Sequence, residues 1–151
     1  MAQKINKLSA VLENYLETIA ALIKEKKVAR ICDIAKALGV KSPSVNVAIN
    51  LLGENGLVTH EKYGYVDLTL KGVKVANKIQ RKHDILFQFL NGLLFIDENT
   101  AAKEACEIEH SVSGETVRRL EKLHELLRKR FFAKKEDMDN LRDYLISVKE
   151  K

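Results

Sequence analysis

One short run of this chain combines three side-chain types that bind transition metals in proteins. Residues 104–110 read EACEIEH and contain Cys106, Glu109 and His110. On a helix, side chains three or four positions apart lie on one face, so a thiolate, a carboxylate and an imidazole would converge there. We therefore predict a metal site in this run. The alternative is that Cys106 packs as a small apolar residue while Glu109 and His110 are solvated.

Three residues outside this run favour the metal site. His83 follows Arg81 and Lys82 on a predicted long helix. Glu17 lies on the inner part of the first predicted helix, and Asn14, three residues earlier, shares its face and could offer a carbonyl oxygen. A cation bound by all of these segments would join the amino-terminal half of the chain to the carboxy-terminal half.

The composition is that of an ordinary globular chain with a basic balance. The chain is 46% hydrophobic and 31% charged, and its net charge of +5 suits a polyanionic partner without requiring one. No apolar run approaches the roughly 20 residues that span a bilayer, and residues 1–7 are polar, unlike a secretory signal. We therefore expect a cytoplasmic protein outside the membrane. Cys32 and Cys106 should be free thiols, with Cys32 packed in the core.

Apolar periodicity predicts a mostly helical chain with one small hairpin. Ser42 is expected to cap a helix whose first residue is Pro43, after a turn at Gly39. Alternation with a period of two predicts a pair of short strands. The predicted helices cover about residues 8–26, 30–38, 43–54, 71–90, 98–110, 113–130 and 136–149, and the strands cover residues 57–61 and 65–68.

Two short helices joined by a glycine turn and followed by a hairpin predict a winged helix-turn-helix, a DNA-binding motif. The alternative is a helical bundle whose polar faces are only solvated. Asparagine suits adenine and serine suits phosphate or base. The second helix exposes no arginine or lysine, so its flanks must supply the charge. The core of the motif is expected to contain Ile34, Leu38, Val40, Val45 and Ala48. The residues predicted to bind DNA are Arg30, Lys41, Ser42, Pro43, Ser44, Asn46, Val47 and Asn50, with Lys62 and Tyr63 in the wing.

Six short stretches spread along almost the whole chain form one pattern. They read ENYLETI at 13–19, DIA at 33–35, LTLKG at 68–72, RKH at 81–83, EAC at 104–106 and EH at 109–110. In these stretches the chain resembles the diphtheria-toxin-repressor family of iron- and manganese-dependent transcriptional repressors. We do not expect the family's third domain, a small SH3-like barrel, because the 151 residues are covered by the other predicted elements. The chain is similar in this respect to the compact two-domain manganese-transport regulators.

The resemblance implies a role for most of the candidate metal residues. Cys106, Glu109 and His110 match the principal metal site of the family, in which the iron type places cysteine first and the manganese type places glutamate first. His83 matches a ligand histidine of the family. Glu17 matches a carboxylate that the manganese type uses. The ligand set implied for this chain therefore mixes the two types.

The chain departs from the family pattern at three positions. Asn14 stands where the manganese type has aspartate and the iron type has methionine. Phe87 and Ala102 stand where the iron type supplies a carboxylate and a histidine to an ancillary site, so this site is not expected in its iron-type form. The Cys106 thiolate favours Fe(II), with Mn(II) as the alternative, and it permits Zn(II) or Co(II) in vitro.

The residues and the resemblance together predict a mostly α protein in two parts. Residues 1–72 form a winged helix-turn-helix DNA-binding domain, and residues 73–151 form an all-helical metal-binding and dimerisation domain. The resemblance implies a homodimer that binds a pseudo-palindromic, double-stranded DNA operator when metal is bound, and that represses metal-uptake genes.

The residues leave two other functional classes as alternatives. An enzyme would use Cys106 as nucleophile and His110 as base, but no glycine-rich oxyanion loop is visible, so we expect no enzymatic activity. A winged-helix regulator without a metal would respond to an organic ligand. The effect of divalent metal on DNA affinity separates this regulator from the metal-dependent one.

Overall fold

The computed structural model of the chain is mostly helical, as predicted, and describes residues 8–60, 65–130 and 134–147. Its contacts form two compact units, Met1–Gln80 and Arg81–Lys151, and the domain boundary after residue 72 stays a prediction. No helix in the described part of the chain is long and apolar enough to cross a membrane. The elements, in chain order, are α1 (Ala10–Lys26), β1 (Ala29–Arg30), α2 (Ile31–Leu38), α3 (Ser42–Glu54), β2 (Val58–His60), β3 (Tyr65–Leu68), α4 (Leu70–Gly92), α5 (Glu98–Glu109), α6 (Gly114–Arg130) and α7 (Lys135–Ser147).

The first unit is built on three helices whose apolar residues follow helical spacing. α1 is capped by Ser9, whose hydroxyl accepts the backbone N–H of Leu12 at 3.3 Å. α2 ends at Gly39, whose φ of +65° lets the chain turn sharply toward α3 while the Gly39 N–H still reaches the helix carbonyls. The largest fully buried side chains of this unit are those of Leu16, Ile19, Ile34, Val45, Ile49, Leu52, Leu57 and Val66.

Two local predictions at the helix-turn-helix are wrong. α3 begins at Ser42, one residue earlier than predicted, and its N-cap is Lys41, because the Lys41 carbonyl accepts the backbone N–H groups of Ser44 and Val45. Val40, which we predicted in the core, is 37% exposed, because it lies in the turn between the two helices and on neither of their buried faces.

A small antiparallel sheet of three strands, in the order β1-β3-β2, completes the first unit. β2 and β3 form the predicted hairpin, with Val58 opposite Leu68. β1 was not predicted, because a strand of two residues is too short to show a periodic pattern. It pairs with β3 and places Arg30 opposite Tyr65.

The start of α4 is fastened to the turn between α3 and β2. The Thr69 hydroxyl accepts the N–H of Gly72 at 3.0 Å and donates to the carbonyl of Gly56 at 2.7 Å. Lys71 donates to another carbonyl of the same turn at 2.8 Å. A β-carbon on Gly72 would overlap the carbonyl oxygen of Leu57. In the LTLKG stretch, the backbone of α4 therefore lies so close to the Leu57 carbonyl that position 72 requires a glycine.

The second unit contains the end of α4 with α5, α6 and α7. α5 is capped by Asp97, which accepts the N–H of Thr100 at 3.1 Å, and hydrogen bonding from Thr100 lowers the pKa of the Asp97 carboxyl. α6 is capped by Ser113, whose hydroxyl accepts the backbone N–H of Thr116 at 3.1 Å. The buried apolar side chains of this unit are those of Leu86, Leu93, Ala101, Ala105 and Val117.

Gly72→Ala should lower the free energy of unfolding by about 1–3 kcal/mol, because the added methyl group forces the start of α4 away from the Leu57 carbonyl. Urea denaturation followed by circular dichroism measures this loss. Gly53→Ala is the matched control, since its β-carbon would lie 3.8 Å from the nearest heavy atom, and it should be neutral or stabilising. Equal midpoints for Gly72→Ala and the unmodified chain would contradict the contact.

Candidate metal centre and nucleic-acid interface

α5 brings the predicted cluster together at its carboxy-terminal end. One ligand atom each from Cys106, Glu109 and His110 lies within 4.8 Å of the others. Cys106 and Glu109 are separated by less than one helical turn, and His110 is the C-cap residue, whose φ of −77° and ψ of −22° continue the helical path. The convergence follows from the spacing, and the role of these residues as metal ligands stays a prediction.

Glu109 is the buried centre of this cluster. Its side chain is 1% exposed, and it is the one charged residue that is buried in the part of the chain that the structure describes. His83 Nδ1 lies 3.2 Å from Glu109 Oε2, and His110 Nε2 lies 3.4 Å from Glu109 Oε1. Burial of a carboxylate costs several kcal/mol unless other charges and hydrogen bonds offset it. A carboxylate buried between two imidazoles therefore suits a bound cation.

The donor atoms of the cluster fit a divalent transition metal. Thiolate and imidazole ligands suit borderline and soft ions, and the carboxylate adds negative charge. Cys106 is exposed, whereas the His110 side chain is only 8% exposed. The cluster therefore has one exposed candidate ligand residue, Cys106, beside two residues whose side chains are largely buried.

His83 lies beside the cluster on α4, and its ring is stacked on Phe87. The ring centroids are 6.5 Å apart and the planes differ by 9°. Phe87 therefore packs against a candidate ligand at a position where the resemblance places a carboxylate in the iron type. Ala102, at the other departing position, has a methyl group in place of a ligand. In the described ranges, the residues around Glu109 form the one group of three potential ligands.

Two candidate ligands and the second cysteine lie in the first unit. Glu17 and Asn14 are half-buried on α1, and ligation by either stays a prediction. Cys32 is exposed, so its predicted place in the core is wrong. The reason is that the buried face of α2 carries Ile34 and Ala35, and Cys32 lies on another face of this short helix.

α3 presents a polar surface in the first unit. Val45 and Ala48 anchor the helix in the core, and the side chains between them point outward. The predicted wing residues Lys62 and Tyr63 lie outside the described residues, and all the DNA contacts stay predictions. The exposed residues among those predicted to bind DNA are Arg30, Lys41, Ser42, Pro43, Ser44, Asn46, Val47 and Asn50.

Arg30 has a partner that the sequence did not reveal. Its Nη2 donates to the Tyr65 hydroxyl at 3.3 Å, and the guanidinium lies 5.3 Å above the centre of the Tyr65 ring. This hydrogen bond raises the pKa of Arg30, which keeps its positive charge at the base of the hairpin. The pairing of β1 with β3 creates the contact, and β1 leaves no periodic signal in the sequence.

Comparison with known protein families finds a match in each half of the chain. The family described as "Iron dependent repressor, N-terminal DNA binding domain" matches residues 7–66. The family described as "Iron dependent repressor, metal binding and dimerisation domain" matches residues 69–135. A curated relative, an uncharacterized HTH-type transcriptional regulator of Methanocaldococcus jannaschii, is 39% identical over 114 residues, which cover 75% of this chain and 91% of the relative.

Two solved structures share the fold of this chain. IdeR of T. acidophilum aligns with a TM-score of 0.67 and 31% identity, over 75% of this chain and 53% of that chain. The manganese regulator SloR aligns with a TM-score of 0.67 and 31% identity, over 76% of this chain and 53% of that chain. The chain thus spans about half the length of each of these two proteins.

Cys106→Ser should abolish the near-ultraviolet thiolate-to-metal charge-transfer band of the Co(II) complex, because Cys106 contributes the sulfur atom of the predicted cluster. Anaerobic absorption spectroscopy of the purified chain titrated with Co(II) measures the band. Cys32→Ser removes the other exposed thiol and should leave the band unchanged. A band of full intensity in Cys106→Ser would exclude this cysteine as a ligand.

Proposed function

The chain belongs to the iron-dependent repressor family of metal-dependent transcriptional regulators, and we propose that it represses transcription by binding operator DNA as a homodimer when Fe(II) or Mn(II) occupies the cluster around Glu109. It is a regulator and not an enzyme. The observation that carries the proposal is the cluster itself, in which a ligand oxygen of the buried Glu109 carboxylate lies within 4.8 Å of a cysteine sulfur and an imidazole nitrogen. From the family resemblance, we propose genes of metal uptake as its targets.

We propose Fe(II) as the physiological metal and Mn(II) as the alternative. The thiolate of Cys106 supports Fe(II), since thiolates favour softer ions than the carboxylates and waters that suit Mn(II). The stack of Phe87 on His83 supports a single metal per subunit at this cluster, because Phe87 offers no donor atom. Metal availability in the cell contributes to selectivity as well as ligand softness.

Regulation requires that metal bind more tightly to the DNA-competent state than to the other states. When bound, a divalent cation supplies the positive charge that offsets the Glu109 carboxylate and the Cys106 thiolate. Glu17 is proposed as a further ligand because the resemblance matches it to a carboxylate that the manganese type uses. Asn14 is proposed because it shares the helix face of Glu17 and offers a carbonyl oxygen. A typical coupling of about 1–3 kcal/mol would change DNA affinity by roughly 5–150-fold.

The dimer is proposed from the matched dimerisation domain and from the surface of the second unit. Leu123 and Leu126 on α6 are 44% and 46% exposed, and Leu94, after α4, is 37% exposed. Large apolar side chains of this kind are suited to a contact between copies of one chain. A two-fold dimer presents two α3 helices and therefore reads a pseudo-palindromic site.

The function is tested by DNA-binding titrations under anaerobic conditions. A duplex is first enriched from a randomised library with the metal-loaded chain, and its affinity is then measured by fluorescence anisotropy with Fe(II), with Mn(II) and with a chelator. We expect metal to tighten binding by roughly 5–150-fold, with the larger effect for Fe(II). Equal affinity with metal and with chelator would contradict the proposal and favour a regulator that responds to an organic ligand.

Substitutions on the proposed DNA-binding surface of the protein should distinguish residues that recognise bases from residues that bind phosphates through charge. Asn50→Ala should weaken binding to the enriched duplex by about 1–3 kcal/mol and relax specificity at one base pair, because asparagine pairs with adenine. Lys41→Gln should weaken all duplexes alike and reduce the slope of log affinity against log salt by about 1. Lys103→Gln, an exposed lysine on α5, is the control. Salt slopes that do not differ among the three variants would refute the assigned surface.

A further inference from the structure

Lys82 fastens α4 to the carboxy-terminal end of α5. Its Nζ donates to the carbonyl oxygen of Glu109 at 3.1 Å and to the carbonyl oxygen of Val112 at 3.2 Å. The last carbonyls of a helix have no partner within the helix, and a cation beside them also stabilises the negative end of the helix dipole. One partly buried ammonium therefore closes the turn in which Glu109 and His110 lie.

Two neighbouring residues of α4 contact Glu109, one at its backbone and the other at its side chain. Lys82 contacts the backbone oxygen, and His83 Nδ1 lies 3.2 Å from the carboxylate. Arg81 is directed elsewhere and pairs with Glu121 of α6 at 3.2 Å. The RKH stretch thus makes one ion pair with α6, through Arg81, and two contacts with the buried Glu109, through Lys82 and His83.

We propose that Lys82 is a positioning residue of the metal centre. Its ammonium fixes the backbone from Glu109 to Val112, so that the Glu109 carboxylate and the His110 imidazole stay aligned with the Cys106 thiolate. An ammonium has no lone pair and binds no metal itself. This inference depends on the proposed metal centre and assigns to Lys82 the task of keeping two of its ligands in place.

Lys82 has two opposing effects on metal affinity. Its positive charge disfavours a second cation nearby, whereas ligands that are already in place lower the ordering cost of binding. The Nζ donates to two carbonyl oxygens, whose partial negative charge offsets the ammonium. The positioning effect is therefore the larger one, and removal of the ammonium weakens metal binding.

The test compares Co(II) binding by three variants of the full chain. Lys82→Met keeps the apolar stem and removes the donor, Lys82→Arg keeps the charge and the donors, and Lys103→Met removes an exposed lysine of α5. Lys82→Met should bind Co(II) about 10–100-fold more weakly, as typical outer-shell variants of metal sites do. Its visible Co(II) spectrum at saturation should also change. Lys82→Arg should restore most of the affinity, and Lys103→Met should match the unmodified chain.

A second readout follows the backbone without metal. The amides of Ser111 and Val112 donate to the Ile108 carbonyl at 2.9 and 3.1 Å, and their hydrogen exchange should become faster in Lys82→Met. If Lys82→Met does not fold, Lys82→Gln, which keeps a neutral donor, is measured for the same direction of change.

The outcomes separate the inference from the proposed function. Unchanged or tighter Co(II) binding by Lys82→Met, beside normal binding by the unmodified chain, overturns the role of Lys82 alone. Weaker binding with an unaltered spectrum at saturation also overturns it, because it indicates a role in stability without one in ligand placement. No Co(II) binding by the unmodified chain overturns the metal centre itself.

Discussion

The buried carboxylate of Glu109 is the constraint on which the second unit depends. A carboxylate that is 1% exposed is costly to hold in a folded protein, and the surrounding elements are arranged to offset that cost. His83 reaches it from α4, His110 reaches it from the end of α5, and Lys82 holds its backbone. The exposed Cys106 side chain adds a sulfur atom at the solvent side. The proposed cation would add positive charge beside this carboxylate, at the end of α5.

α4, which carries the residues that contact Glu109, begins in the first unit. The first turn of α4 is fastened through Thr69 and Gly72 to the turn that follows α3, and residues 82 and 83 of the same helix hold Glu109. α3 is anchored by buried Val45 and Ala48 and exposes its polar face. The LTLKG and RKH stretches therefore have similar structural roles. Each one connects α4 to a neighbouring element of the same unit.

Local physical rules predict most of the elements and the central cluster. Helical spacing alone places Cys106, Glu109 and His110 together, and the helix-turn-helix follows from apolar periodicity and a glycine turn. Contacts between distant segments escape such rules. The pairing of Arg30 with Tyr65 depends on a strand of two residues, and the hold of Lys82 on α5 depends on how α4 packs. Val40 and Cys32 were misplaced because a single apolar or thiol residue does not reveal which helix face is buried.

We propose that the cluster around Glu109 and the predicted DNA-binding surface of α3 are coupled. Coupling between two binding sites is reciprocal, so DNA must change metal affinity by the same factor by which metal changes DNA affinity. The most direct measurement is therefore Mn(II) or Fe(II) affinity, determined anaerobically for the free chain and for the chain saturated with its enriched duplex. We expect tighter metal binding on DNA, by the factor found in the DNA titrations. Equal metal affinity with and without DNA would show that the two sites are not coupled.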